Sequence, residues 1–147
     1  MEEEAEVAAL RVKAEGGDAR TMFKLGLYYH NGTRGLKRDF TQAFTWFKWG
    51  ADLEDVLALQ SCGFAYLNGR GVEVSISRGV SMISVAATLG SEHSFGCLGQ
   101  ANEDGLHGFD QNPQEATRWY RKMQKCAHRN TIGAIREMAA AWLREHP

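Results

Sequence analysis

The sequence repeats a pattern of glycines at a nearly constant interval. Gly26, Gly63 and Gly99 are separated by 37 and 36 residues, and a further glycine follows each of them six residues later. A similarity that recurs about every 20–50 residues is typical of repeat proteins, in which stacked helical or β units share one continuous core. This periodicity constrains the fold more than any other feature of the chain. The three following glycines are Gly32, Gly69 and Gly105.

Within each repeat, apolar residues recur at spacings of three and four, which is the spacing along one face of an α-helix. Asn31 and Gly32 predict the end of the first helix, because both residue types readily take the left-handed conformation found there. Asp39 is expected to cap the helix that follows. The sequence therefore predicts an all-α fold, an α/α superhelical solenoid of about eight helices in antiparallel pairs.

We predict that a single solenoid domain occupies residues 1–147. An amphipathic last helix is what a solenoid needs to close its exposed end. The predicted parts are an N-terminal half-repeat, three repeats and a C-terminal capping helix, at 1–16, 17–53, 54–90, 91–126 and 127–147.

Composition and charge exclude several classes of protein. The chain is 44% hydrophobic and 24% charged, like an ordinary folded domain, and its net charge of −1 gives no general attraction to nucleic acid. No apolar run approaches the roughly 18 residues of a membrane span. The acidic start, Met1 to Glu4, is the reverse of a signal peptide. Three cysteines without CxxC spacing favour free thiols, and hence the cytoplasm or another reducing compartment: Cys62, Cys97 and Cys126.

Three segments carry a resemblance to a known family. LGLYYHNG at 25–32, AFTWF at 43–47 and LNGRGV at 67–72 are similar to the Sel1-like repeat, a relative of the tetratricopeptide repeat. The resemblance covers residues 5–145. It implies a non-enzymatic scaffold or adaptor for protein–protein interaction, freestanding or as a subunit of a larger complex. The paired cysteines of the family's secreted branch are missing, so the activities of that branch are not expected here.

The resemblance also suggests where a protein or peptide partner binds. With Leu25, Gly26 and Tyr29 assigned to packing, a rotation of about 100° per residue leaves the other side of each first helix for a concave groove. Apolar anchors in a polar frame suit an extended peptide or a helix. The alternative is that several of these apolar residues pack against neighbouring helices. The predicted groove residues are Arg20, Phe23, Leu27, His30, Leu57, Gln60, Phe64, Asn68, His93 and Gln100.

A basic stripe on the second helix of repeat three is another candidate surface. Its spacing places five cations on one helix face, which suits an acidic partner, phosphate or anionic lipid. The alternative is an ordinary solvated face. The stripe consists of Arg118, Arg121, Lys122, Lys125 and Arg129.

No catalytic motif is evident. His93 and Cys97 are four residues apart and would share a helix face, as two metal ligands can, but further ligands at suitable spacing are missing. We therefore expect no metal and no other cofactor. Zinc-protease, nucleophile-elbow and phosphate-loop signatures are absent from the sequence. The alternative function is a small hydrolase or ligand-binding enzyme with a site between repeats, which would show a deep pocket with converging ionisable groups.

Overall fold

The computed structural model describes residues 2–125 and 133–147, without the side chains of 133–136. In that part of the chain it contains eight α-helices and no strand, which confirms the predicted all-α solenoid. None of these helices is both long enough and apolar enough to cross a membrane. The helices are α1 (Glu2–Glu15), α2 (Ala19–Asn31), α3 (Phe40–Asp52), α4 (Val56–Asn68), α5 (Ile76–Thr88), α6 (Glu92–Asp104), α7 (Pro113–Lys125) and α8 (Gly133–Glu145).

The chain divides into two compact units, Met1–Met82 and Ile83–Pro147. In the first unit, α2 packs against α1 and α3, and α4 contacts both members of the α2–α3 pair. In the second unit, α6 packs against α7, and α8 contacts both. Each unit therefore holds a helix pair followed by one further helix laid against it. The repeat boundaries assigned from the sequence stay a prediction.

Three of the repeated glycines end helices in the same way. Gly32, Gly69 and Gly105 all lie in the left-handed region, with φ of 65°, 66° and 67°. The backbone N–H of each glycine donates to the carbonyl four residues earlier, which satisfies a group that the helix end would otherwise leave unpaired. The helix end predicted at Gly32 is confirmed, and the same ending recurs at Gly69 and Gly105.

Aspartate caps begin three of the helices in the first unit. The carboxylates of Asp18, Asp39 and Asp55 each accept a hydrogen bond from the backbone N–H three residues later. At Asp18 this bond, from the N–H of Thr21, holds the pKa of the carboxyl below its usual value, because it stabilises the charged form. The predicted cap at Asp39 is confirmed.

Asp55 caps α4 and also joins it to α2. Its carboxylate accepts from the N–H of Ala58 and, at 2.9 Å, from Nε of Arg20. We expect Asp55→Ala to lower the free energy of unfolding by about 1–2 kcal/mol, since the cap is lost. Urea denaturation followed by circular dichroism measures the loss. Asp52→Ala is the control, because it breaks only an exposed pair with Lys48, worth less than about 0.5 kcal/mol. Equal losses for the two variants would contradict the prediction.

Glycines also allow a close contact between paired helices in each unit. A Cβ on Gly26 would lie 2.4 Å from Cε1 of Phe47, and a Cβ on Gly99 would lie 2.4 Å from Cε1 of Tyr120. Glycine inside a helix costs about 1 kcal/mol relative to alanine, and here the ring of the partner helix uses the space that it leaves. A side chain at either glycine would collide with this ring, so both positions require glycine for the helices to pack as they do.

Candidate functional site

A cleft of about 270 Å³ lies between α2, α3 and α4 in the first unit. Helix α2 supplies Leu27, and α4 supplies Phe64. The floor is Phe47, which is 3% exposed, and this is the ring that packs on Gly26. The cleft thus rests on a close contact between α2 and α3, so its floor is fixed before anything binds.

Phenylalanines of α3 form the wall opposite α2. Phe40 and Phe44 are half-buried and lie one helical turn apart, so both face the cleft above Phe47. The Phe44 ring meets Tyr66 edge-on, with 5.3 Å between centroids, which fixes its orientation. Such a lining can bury an apolar side chain at a gain of about 25 cal/mol per Å² of apolar surface.

One end of the cleft is basic. Nη1 of Arg70 lies 3.2 Å from Nε2 of His30, and Nε of Arg38 donates to the His30 carbonyl at 3.2 Å. The guanidinium carbons of Arg38 and Arg70 lie 4.7 and 5.5 Å from the ring centroid of Phe40, within the range of a cation–π interaction. No aspartate or glutamate is among the described residues that line the cleft. The cleft therefore joins an apolar body to a positively charged end.

The structure brings together only part of the predicted groove. On α2, Arg20 and Phe23 border a shallower depression, in which Arg20 is paired with Asp55. Leu57 and Gln60 are half-buried on α4 and do not line the cleft. The predicted residues that do line it are Leu27, His30, Phe64 and Asn68.

The two remaining groove residues, His93 and Gln100, belong to α6 in the second unit. Gln100 is exposed, whereas burial lowers the pKa of His93 below its ordinary value. Cys97 lies one turn from His93, and burial raises the pKa of its thiol to about 11. Among the described residues, no three His, Cys, Asp or Glu side chains come together where they could hold a metal ion.

Sequence reasoning missed the residues that give the cleft its character. Phe40, Phe44 and Arg70 are not among the predicted groove residues, and all three line the cleft. The available signal was the spacing of Phe40, Phe44 and Phe47, which places three aromatic rings on one face of α3. Of these three rings, Phe47 is the one that packs on Gly26.

Most of the predicted basic stripe lies in the described part of α7. Arg118, Arg121, Lys122 and Lys125 are exposed. Arg118 is 3.6 Å from the carboxylate of Glu115, and the Lys122 ammonium lies 4.9 Å from a ring centroid of Trp119. Arg129 and Cys126 lie outside the described residues.

Burial also suppresses the reactivity of Cys62, whose pKa is raised to about 12. Because the thiolate is the reactive form, we expect native Cys62 to resist iodoacetamide at pH 8 and to react once urea unfolds the chain. Alkylation of the native protein is slower because the raised pKa lowers the thiolate fraction at any pH below 12. Mass spectrometry of tryptic peptides reads each cysteine separately. Equal alkylation rates with and without urea would contradict this expectation.

The comparison with known families agrees with this architecture. The family model described as "Sel1 repeat" matches residues 19–55, 57–91 and 98–123, which together make up more than half of the chain. The chain belongs to the Sel1 repeat family. The resemblance drawn from the sequence is thereby confirmed.

Two curated relatives of this Sel1 repeat protein come from Arabidopsis thaliana. One, named ERAD-associated E3 ubiquitin-protein ligase component HRD3A, is 37% identical over 70 residues, which is 48% of this chain and 10% of the relative. The other, component HRD3B, is 35% identical over 72 residues, 49% of this chain and 11% of the relative. The Sel1 repeat protein therefore spans about a tenth of the length of the relatives it matches.

Solved structures show the same fold. A Sel1 repeat protein from Oxalobacter formigenes superposes with a TM-score of 0.68 at 29% identity, covering 74% of this chain and 43% of that one. A protective antigen of uropathogenic Escherichia coli strains that displays an SLR fold gives 0.63 at 23% identity, covering 83% and 33% of the two chains. The second likeness concerns the fold alone.

Proposed function

We propose that this Sel1 repeat protein is a non-enzymatic adaptor that holds a segment of a partner protein in the cleft between α2, α3 and α4. The cleft itself carries the proposal. A preformed apolar floor with a few convergent polar groups at one end is the usual construction of a recognition site. A partner side chain placed over Phe47 would leave water, while its neighbours reach the guanidiniums of Arg38 and Arg70.

The ionisable groups support binding rather than chemistry at this site. Catalytic acids, bases and nucleophiles usually have pKa values displaced toward their task. Among the described residues, the side chains with displaced pKa values include Cys62, His93, Cys97 and Tyr120, and none of these lines the cleft. We therefore favour the adaptor over the alternative of a small hydrolase.

The curated relatives support a role inside a larger assembly. HRD3A and HRD3B are named as components of a ubiquitin-protein ligase, and the segment of each that matches this chain is a small fraction of the whole. Repeat units of this kind contribute surfaces to an assembly. We extend to this chain the role of a subunit that binds another protein. The particular complex named for the relatives is not extended to it.

Site-directed photocrosslinking tests the proposal. Benzoylphenylalanine placed at Phe64 reports on the cleft, and the same group placed at Arg121 reports on α7, outside it. We expect partner crosslinks from position 64, reduced at least tenfold when Leu27→Trp fills the cleft. Circular dichroism checks that Leu27→Trp keeps its helices. Crosslinks that form from position 121 alone, or that survive Leu27→Trp, would overturn the cleft as the binding site.

A further inference from the structure

The second unit repeats the framework that underlies the cleft. Gly26 and Gly99 are 73 residues apart, and so are the rings packed on them, Phe47 and Tyr120. The two contacts are identical, with 2.4 Å from the glycine Cβ position to the aromatic Cε1 in each. The α6–α7 pair therefore reproduces the α2–α3 pair in geometry as well as in sequence spacing, and α8 is laid against it as α4 is laid against α2 and α3.

In the second unit, the indole of Trp142 packs on this framework. The ring of Trp142 meets Tyr120 edge-on, with 6.1 Å between centroids, and its Nε1 donates to Oγ1 of Thr117 at 3.0 Å. Tyr120 and Thr117 lie 73 residues after Phe47 and Phe44, two lining residues of the cleft. His146 stacks on Trp142 at 3.8 Å. An aromatic side chain thus covers the place that stays open in the first unit.

The difference arises where the last helix of each unit ends. Helix α4 stops at Asn68 because Gly69 turns into the left-handed region, whereas α8 continues to Glu145. Helix α8 therefore extends past the position, 73 residues after Gly69, at which α4 has already ended, and this position carries Trp142. In the first unit, the turn after Gly69 instead brings Arg70 to the cleft.

The charge at this place also changes sign between the two units. His30 corresponds by the same interval to Glu103, which accepts a 2.6 Å hydrogen bond from the Tyr120 hydroxyl. In the first unit, the imidazole of His30 lies beside the guanidinium of Arg70, and the backbone carbonyl of His30 accepts a hydrogen bond from Arg38. Both guanidiniums are exposed and already oriented over the Phe40 ring, so little side-chain freedom remains to be lost when an anion binds.

From these two observations we infer that the cleft receives an aromatic side chain, tryptophan above all, from a partner segment that carries carboxylates beside it. The indole takes the place over Phe47 and Phe44 that Trp142 takes over Tyr120 and Thr117. The neighbouring carboxylates pair with Arg38 and Arg70, which present forked donors suited to them. The inference rests on the proposed function and names the chemistry of the partner.

Three ten-residue peptides test it on the whole chain. The first carries one tryptophan flanked by glutamates, the second replaces the tryptophan with serine, and the third replaces the glutamates with glutamine. Amide resonances of the ¹⁵N-labelled protein locate the site, and fluorescence polarisation measures Kd. We expect resonance shifts confined to α2, α3, α4 and the turns at Arg38 and Arg70. Relative to the first peptide, affinity should fall at least tenfold without tryptophan and threefold or more without glutamate.

Matched variants separate the two parts of the subsite. Leu27→Trp should weaken the first peptide at least tenfold, because it fills the apolar body. Arg70→Glu should remove the preference for glutamate and bind a lysine-flanked tryptophan peptide better than wild type does. Arg121→Glu makes the same change of charge at a residue of α7 that does not line the cleft, and it should leave every Kd unchanged.

Several outcomes would overturn the inference. The serine peptide could bind as tightly as the tryptophan peptide, the resonance shifts could map to α7, or no peptide could bind at millimolar concentration. Self-association of the protein that Leu27→Trp abolishes would also overturn it, because a second copy of the chain would then be the occupant. The proposed function fails separately. A partner that crosslinks from position 64 through a segment without an aromatic residue would refute the inference and leave the adaptor role standing.

Discussion

Gly99→Leu is expected to lower the free energy of unfolding by about 3 kcal/mol, the upper part of the usual range for overpacking a core. Even the first added carbon would lie 2.4 Å from Cε1 of Tyr120, a ring that is fully buried and hydrogen-bonded through its hydroxyl to Glu103. The ring therefore has nowhere to move. Urea denaturation followed by circular dichroism gives the loss from the shift in midpoint at constant slope.

The control for Gly99→Leu is its neighbour in α6. Gln100→Leu introduces the same side chain one residue further along, on the exposed side of the helix, and should change stability by less than about 0.5 kcal/mol. If Gly99→Leu had the same urea midpoint as the wild type, Tyr120 would have an alternative position. The glycine–aromatic contact that occurs in each unit would then not be the fixed framework described above.

Trp142→Ala is expected to cost the second unit about 3 kcal/mol, the lower end for truncating a large aromatic, since the side chain is half-buried. The variant loses the edge-on contact with Tyr120, the stack with His146 and the hydrogen bond to Thr117. Thermal unfolding followed by near-ultraviolet circular dichroism measures both the loss of stability and the freed tyrosine environment.

Trp49→Ala is the matched truncation in the first unit. Trp49 is 41% exposed and stacks on Trp46 at 5.5 Å, so its removal leaves no buried cavity and should cost less than about 1 kcal/mol. Equal losses for the two variants would mean that Trp142 stabilises its unit no more than an exposed indole does, and that it does not fill the place described for it.

The features that could be predicted from the sequence are those set by local chain geometry. Glycine spacing fixed the helix ends at Gly32, Gly69 and Gly105 because a left-handed residue is needed just there. The same repeat places Gly26 and Gly99 at equivalent positions of α2 and α6, where both make the same close contact. The helix ends and the close contacts both depend on residues that recur at a regular interval, and such an interval can be recognised in the sequence alone.

The cleft could be predicted only in part, because it depends on how helices cross. Helical rotation assigns Leu27 and Phe64 to the predicted groove, and both line the cleft, but rotation alone does not tell whether Phe44 packs inside or lines an opening. That choice depends on the position of α4. Arg20 illustrates the same difficulty, since its partner Asp55 lies 35 residues away and no local pattern connects them.

Phe47 belongs to both the core and the cleft, and this limits how the surface of the cleft can change during evolution. A larger residue at Gly26 would be tolerated only after the ring at Phe47 had shrunk, and that change would remove the floor of the cleft; substitutions at such touching positions do not add independently. We therefore expect Gly26 and Phe47 to change together or not at all. Phe40, Phe44 and Phe64 are half-buried around the floor, so we expect these walls to accept single replacements first and to change the specificity of the cleft.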